Sequence, residues 1–270
     1  MKLNIIEPIG LCPSAKRILD EVDNNLNKYD TIYVLGEILH NEFVINDLSK
    51  KGIKFVKDIK NITNKYSLVL LPSHGTSPII VDKLKKYKLL DLTCPKIKKM
   101  HEYVIENINR DVIFLGKKGH TETLSFKDYK NVTIINDVND INNLDNLKDP
   151  IIMCQTTMNK DIFINASEKL KEKYPNLVIN NTLCNIPLDR IIHIKNTPCD
   201  LLIVVGSKSS SNANEIKNSK ENSMIVNTIK DINIDELKQY NVISIASASS
   251  TPIEQVNKIV DYLKKNLTID

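Results

Sequence analysis

Asp91-Leu92-Thr93-Cys94-Pro95-Lys96-Ile97-Lys98-Lys99-Met100-His101 is the stretch that decides the fold. An apolar run, Leu89 to Leu92, stops near a cysteine, and a proline follows at once. Proline suits the first helical position, because the N–H it lacks has no intrahelical partner there. Beyond it, Ile97, Met100, Val104, Ile105 and Ile108 recur at a helical period. The spacing predicts a strand, a turn at Cys94 and then a helix. It places the thiol at the positive end of that helix, where a thiolate is favoured.

The same grammar is written twice more. Ile5 to Leu11 leads to Cys12-Pro13, with Ala15, Ile18, Leu19, Val22 and Leu26 beyond. Leu177 to Leu183 leads to Cys184-Asn185-Ile186-Pro187, with Leu188, Ile191 and Ile192 beyond. A second apolar run then ends in glycine each time: Ile32 to Gly36, Val112 to Gly116 and Leu202 to Gly206. Polar loops follow, at 37–41, 117–122 and 207–212. Third runs occur at Lys54-Phe55-Val56, Val132 to Ile135 and Met224 to Val226. Fourth runs end in small polar residues: Ser73-His74-Gly75, Gln155-Thr156-Thr157 and Ser247 to Thr251.

Internal repetition of this kind overrides a residue-by-residue reading. Strands alternating with helical patterns predict an α/β protein of three pseudo-equivalent small units with mainly parallel sheets. The expected divisions are 13–93, 94–183 and 184–270. The first strand, read as Lys2 to Ile9, precedes Cys12 as Leu177 to Leu183 precedes Cys184. Residues 1–12 are therefore expected to pack onto the third unit. Ligands bind beyond the carboxyl ends of strands in open parallel sheets. All three cysteines and most of the clustered hydroxyl residues lie just past such ends.

Composition narrows the function classes. Five cysteines, scattered singly, do not form an extracellular disulfide framework, and a reducing cytoplasm is expected. No apolar run approaches the ~20 residues of a membrane span, and no signal peptide is evident. A net charge of +4, with lysines spread along the chain and few aromatic residues, argues against nucleic-acid binding.

Three thiolates from three units can hold an iron–sulfur cluster and leave one iron without a protein ligand, whereas four cysteines are usual. Structural zinc usually takes four ligands at close spacings, which this chain lacks. The commoner fate of a cytosolic cysteine is that of a small buried hydrophobe. That reading is kept for Cys154, inside a strand, and Cys199, just before one. Around the cysteines, His40-Asn41, His74-Gly75, His120 and Ser207 to Asn212 offer imidazole, hydroxyl, amide and backbone N–H groups suited to a phosphate or diphosphate. His101 and His193, both on expected helices, read as surface or satisfied core residues. Glu122, in the loop with His120, is the acidic residue placed to deliver a proton.

In order along the chain, Gly10-Leu11-Cys12 with Arg17-Ile18, Gly36 to Asn41, Ser73-His74-Gly75, Thr93-Cys94-Pro95 with His101, Gly119-His120-Thr121-Glu122, Gln155-Thr156-Thr157, Asn181 to Cys184, Val205 to Asn214 and Ala248 to Pro252 form a set. Together they resemble the 4-hydroxy-3-methylbut-2-enyl diphosphate reductase (LytB) family over nearly the whole chain. The resemblance implies a trefoil of three α/β units around a [4Fe-4S] cluster held by Cys12, Cys94 and Cys184. It implies that His40, His74, His120, Thr157, Ser210, Ser211, Asn212 and Ser250 hold a diphosphate. By the same token Glu122 relays the proton and Thr156 orients the substrate hydroxyl. It further implies a ferredoxin or flavodoxin as electron donor, and a cytoplasmic or plastid-stromal location.

This sequence departs from the family pattern in several places. His-Pro-Glu reads His120-Thr121-Glu122, and Thr123 to Phe126 replace a glycine-rich stretch. Pro13-Ser14 replace Ala-Gly, Ala248 replaces a glycine, and after Cys184 only Arg190 is kept from the usual pattern. These changes touch cavity shape more than ligands. Two rival readings share the cysteine pattern: an enzyme of the quinolinate synthase type, and a non-catalytic iron–sulfur sensor of a phosphorylated metabolite. The sensor has no need of Glu122.

Overall fold

The computed structural model describes residues 1–269. Its strands among these residues are β1 (Lys2–Ile5), β2 (Ile32–Leu35), β3 (Lys54–Val56), β4 (Leu68–Leu71), β5 (Lys88–Asp91), β6 (Val112–Leu115), β7 (Val132–Ile135), β8 (Ile151–Cys154), β9 (Val178–Ile179), β10 (Leu201–Val205), β11 (Ser223–Val226) and β12 (Val242–Ser247). They form three four-stranded sheets in which every pairing is parallel. Counted from the strand that precedes each cysteine, the orders are β1-β12-β10-β11, β5-β4-β2-β3 and β9-β8-β6-β7. One pattern is thus built three times. The fold is α/β, as the repeats predict.

By internal contacts the chain separates into two compact units. The first comprises Met1–Lys28, Leu39–Ile53 and the chain from Asn185 onward. It contains the sheet in which β1 lies beside β12, with Lys2 opposite Val242 and Ile5 opposite Ile245. Alternation along β10 buries both faces. Leu201, Ile203 and Val205 join one apolar cluster, while Leu202 and Val204 join another. Burial on two sides is why such strands read as unbroken apolar runs.

The second unit, Tyr29–Ile38 with Lys54–Cys184, contains the other two sheets. Val112, Phe114, Ile151 and Met153 pack against Ile97, Met100 and Val104 of the helix Pro95–Glu106. Tyr33, Val69 and Leu71 form the core of the β4 sheet with Leu84. The glycine that closes each central strand repeats a backbone bond. Gly36, Gly116 and Gly206 donate to Val56, Ile135 and Val226 at 2.8, 2.9 and 3.0 Å.

Two expected strands are shorter than their apolar runs. β1 stops at Ile5, ahead of Pro8, which has no N–H to give a ladder. β9 ends at Ile179, and Asn181 Oδ1 then takes the Leu183 N–H at 3.1 Å, a side-chain turn that bends the chain toward Cys184. The helix after Cys94 also has a narrower buried face than its pattern. Ile105 is 57% exposed, and Ile108, 53% exposed, lies past the helix end. No helix among the described residues is long and apolar enough to cross a membrane.

Candidate active site

Each of the three repeated cysteines sits at the predicted strand-to-helix turn. Cys12 caps Pro13–Asp23, Cys94 caps Pro95–Glu106, and Cys184 directly precedes Asn185–Asn196. Their amides share one partner type. Cys12 N–H donates to Ser249 C=O at 2.9 Å, Cys94 N–H to Ser73 C=O at 2.9 Å, and Cys184 N–H to Thr156 C=O at 2.8 Å. In every case the acceptor lies just past the strand beside the cysteine's own, namely β12, β4 or β8. Cys12 Sγ also accepts the Ala15 N–H at 3.3 Å, a contact that favours a thiolate. No disulfide joins any of the five cysteines, and these three are half-buried. Cys154 differs. It is fully buried, and burial pushes its thiol up to about 12.

In the first unit, Asn212 ties the Ser-rich loop to the Cys12 turn. Its Oδ1 accepts the Ser249 N–H at 2.7 Å, while the Ser249 carbonyl takes the Cys12 amide. Asn212 Nδ2 is buried and meets no acceptor among the described residues. Ser210 caps Ser211–Lys217, its Oγ accepting the Ala213 N–H at 3.3 Å, and Ser210, Ser211 and Asn212 are all buried. Ser250 Oγ donates to the His40 carbonyl at 3.2 Å. Next to His40, the buried Asn41 caps Glu42–Lys50 and donates to Gln255 Oε1 at 2.9 Å. Ala248 is accommodated because Gly206 stands opposite it: a Cβ on Gly206 would lie 3.0 Å from that of Ala248.

In the second unit, Glu122 occupies the short helix Thr121–Ser125 rather than a loop, capped by His120. His120 Nδ1 accepts the Glu122 N–H at 3.2 Å. The Glu122 carboxylate is 3% exposed. Its two oxygens accept the amide and hydroxyl of Thr156 at 2.6 and 2.8 Å. Gln155, wholly buried, donates from Nε2 to Thr157 Oγ1 at 2.8 Å and accepts the Lys117 N–H at 3.0 Å. His74 turns each ring nitrogen toward a carbonyl, Gly75 at 3.2 Å and Glu37 at 3.1 Å.

His101 is a satisfied, largely buried residue, as its helical position predicts. It stacks on Phe126 with centroids 4.1 Å apart. Ser125 Oγ donates to the Glu122 carbonyl at 2.7 Å, so it accepts from His101 Nε2 at 3.2 Å, and Nδ1 takes the Tyr129 hydroxyl at 2.9 Å. Burial pulls the ring's pKa down to about 4. Gly75 is fixed by this packing, because with φ at +84° any Cβ would stand 2.7 Å from His101 Nε2. Ser125 and Phe126 thus anchor the Glu122 helix through side chains. His193 lies exposed on Asn185–Asn196.

Sequence reasoning assigned no task to Gln255, which accepts from Asn41. It offered Asn41 as an anion-binding amide and gave Gln155 and Ser249 only as motif members; here Asn41 caps a helix, Gln155 donates to Thr157 and Ser249 takes the Cys12 amide.

Comparison with known proteins identifies the frame. A profile described as "LytB protein" matches residues 3–264. A Plasmodium falciparum protein named 4-hydroxy-3-methylbut-2-enyl diphosphate reductase, apicoplast, is 33% identical over 279 residues, 97% of this chain. The chain spans about half of that relative, 52% of its length. A reductase of the same name from Kosmotoga olearia is 31% identical over 98% of this chain and 95% of its own. The solved structure of the P. falciparum reductase superposes with a TM-score of 0.90 at 32% identity, covering 100% of this chain and 91% of that one. With the thrice-built sheet and its three cysteine turns, these matches show that the chain belongs to the LytB protein family, whose matched relatives bear the name 4-hydroxy-3-methylbut-2-enyl diphosphate reductase.

Proposed function

We propose that this chain reduces 4-hydroxy-3-methylbut-2-enyl diphosphate to isopentenyl and dimethylallyl diphosphate. The reaction takes up two electrons and two protons and releases water. The observation that carries this reading is the buried Glu122 carboxylate bonded to Thr156, whose carbonyl in turn accepts the Cys184 amide. A proton donor and a thiol turn are two hydrogen bonds apart.

The donor set fits a [4Fe-4S] cluster held by Cys12, Cys94 and Cys184. Each thiol stands at a helix start, and none is in a disulfide. Among the described residues no three His, Cys, Asp or Glu side chains converge on a single metal ion. Ligands of a cluster bind different irons, so they need no such convergence. When bound, a cluster with one iron lacking a protein ligand supplies a Lewis acid for the substrate and passes electrons singly.

The protein's own residues do the rest. His40, Ser210, Ser211, Asn212 and Ser250, together with His74, His120 and Thr157, would hold the diphosphate. The orphaned Asn212 Nδ2 supports this, since a buried donor calls for an acceptor. In the structure Thr156 donates both its N–H and O–H to Glu122. With Glu122 protonated, the carboxyl donates to Thr156 Oγ1 and the hydroxyl turns toward the substrate. The leaving oxygen is then protonated and departs as water, a better leaving group than hydroxide.

Single-electron delivery calls for a ferredoxin- or flavodoxin-type donor. Cysteines outside disulfides suit a reducing compartment, the cytoplasm or a plastid stroma. A sensor would have no use for a buried Glu122 bonded in this way. The test is anaerobic purification with iron and sulfide analysis, then assay of the chemically reduced protein with the allylic diphosphate. Iron and turnover together are expected; bound iron and bound substrate without turnover would favour the sensor.

A further inference from the structure

Arg190 has no part in the chemistry above, yet it is the cation set deepest beside a cysteine turn. It is 4% exposed, on the helix Asn185–Asn196. Nη1 donates to the Ser247 carbonyl at 2.7 Å and to Ser247 Oγ at 3.1 Å, and Nη2 donates to the Gly10 carbonyl at 2.7 Å. Ser247 Oγ also receives the Gly10 N–H at 2.8 Å. The guanidinium therefore locks the chain two residues before Cys12 to the end of β12.

Every one of these partners is neutral. Among the described residues, Nε is buried with no acceptor and no carboxylate forms an ion pair with Arg190. A buried full charge without a counter-ion is costly. Burial lowers the guanidinium pKa, and the groups that oppose this are Cys12 and Glu7. Glu7 is exposed, with its carboxylate engaged by the Ile9 N–H, so solvent screens it. Cys12 is half-buried and belongs to the turn that Arg190 holds.

We propose that Arg190 is a positioning residue for the Cys12 turn whose buried positive charge raises the reduction potential of the iron–sulfur cluster that Cys12 helps to hold. This rests on the cluster reading above. A fixed positive charge in a medium of low dielectric favours the state with one more electron. Removing that charge moves the potential to more negative values, even where the cluster stays bound.

The test compares wild type, Arg190→Gln, Arg190→Lys and Ser247→Ala, reconstituted anaerobically. Iron and sulfide are counted, and the cluster is titrated by visible absorbance and electron paramagnetic resonance. At the wild-type midpoint, Arg190→Gln should lower the reduced-to-oxidised ratio by about tenfold or more. Arg190→Lys, which keeps the charge, and Ser247→Ala, which loosens the turn without changing charge, should stay within about threefold of wild type. A wild-type ratio in Arg190→Gln, or an equal fall in Arg190→Lys or Ser247→Ala, overturns the proposal while leaving the cluster reading intact. If Arg190→Gln does not fold, Arg190→Lys decides: a ratio near wild type supports the role, and a tenfold fall overturns it. Wild-type protein that takes up no iron overturns both readings.

Discussion

Glu122 and Thr156 meet through both oxygens of one carboxylate, the amide at 2.6 Å and the hydroxyl at 2.8 Å. The amide bond fixes where the carboxylate sits, and the hydroxyl bond satisfies its second oxygen. Glu122→Gln preserves size and much of this bonding but removes the titrating proton. Turnover should fall by ~10²-fold or more, with iron content and substrate binding kept. Single-turnover reduction by chemically reduced protein measures it; equal rates in wild type and variant would remove Glu122 from the reaction.

Cys12→Ser, Cys94→Ser and Cys184→Ser should each lose iron or activity. Cys154→Ser and Cys199→Ser should keep both, because Cys154 is a buried thiol raised to about 12 and so no thiolate. Iron and sulfide analysis of the five anaerobic variants separates the two groups. Full iron and full activity in all three of the first set would refute the ligand assignment.

Removing a hydrogen-bond donor to a bound diphosphate should cost ~1.5–3 kcal/mol. His40→Ala, His74→Ala and Asn212→Ala are each expected to weaken binding of the substrate or product by that amount. Calorimetry with isopentenyl diphosphate reads the effect. Unchanged affinity in all three would contradict the proposed contacts.

His101 predicts a pH signature of folding. Its ring, with a pKa near 4, stays neutral in the native state while the unfolded ring protonates below about 6.5. Its contribution is thus whole above pH 6.5 and is lost as pH falls toward 4, an effect on the order of 3 kcal/mol. Denaturation of anaerobic protein across pH 4–7 should show a steeper loss in wild type than in His101→Gln. Parallel curves would rule the effect out.

The repeat was legible because two signals coincided three times: an apolar run buried on both faces, and a cysteine followed by helix-starting residues. Strand ends were less so. The Asn181 turn and the arrest before Pro8 are local hydrogen-bond choices, and apolar content does not encode them. Ile105 shows the converse error, since an apolar residue at helical spacing need not face the core. What the sequence could not show was the support around the candidate residues. Arg190 reaches Gly10 across 180 residues, and Asn41 reaches Gln255 across 214. Neither side chain differs in type from one on a solvated surface.

The pairing of β1 with β12 also orders events during synthesis. Residues 2–5 are made well before their sheet neighbour, 242–247, and the Cys12 amide waits for Ser249. Of the three turn cysteines, the first made is therefore the last to be positioned. A nascent chain can complete the turns at Cys94 and Cys184 while Cys12 has no sheet to join. Any group that needs all three turns must therefore wait until residue 249 has been made, and a product interrupted before it cannot present them together.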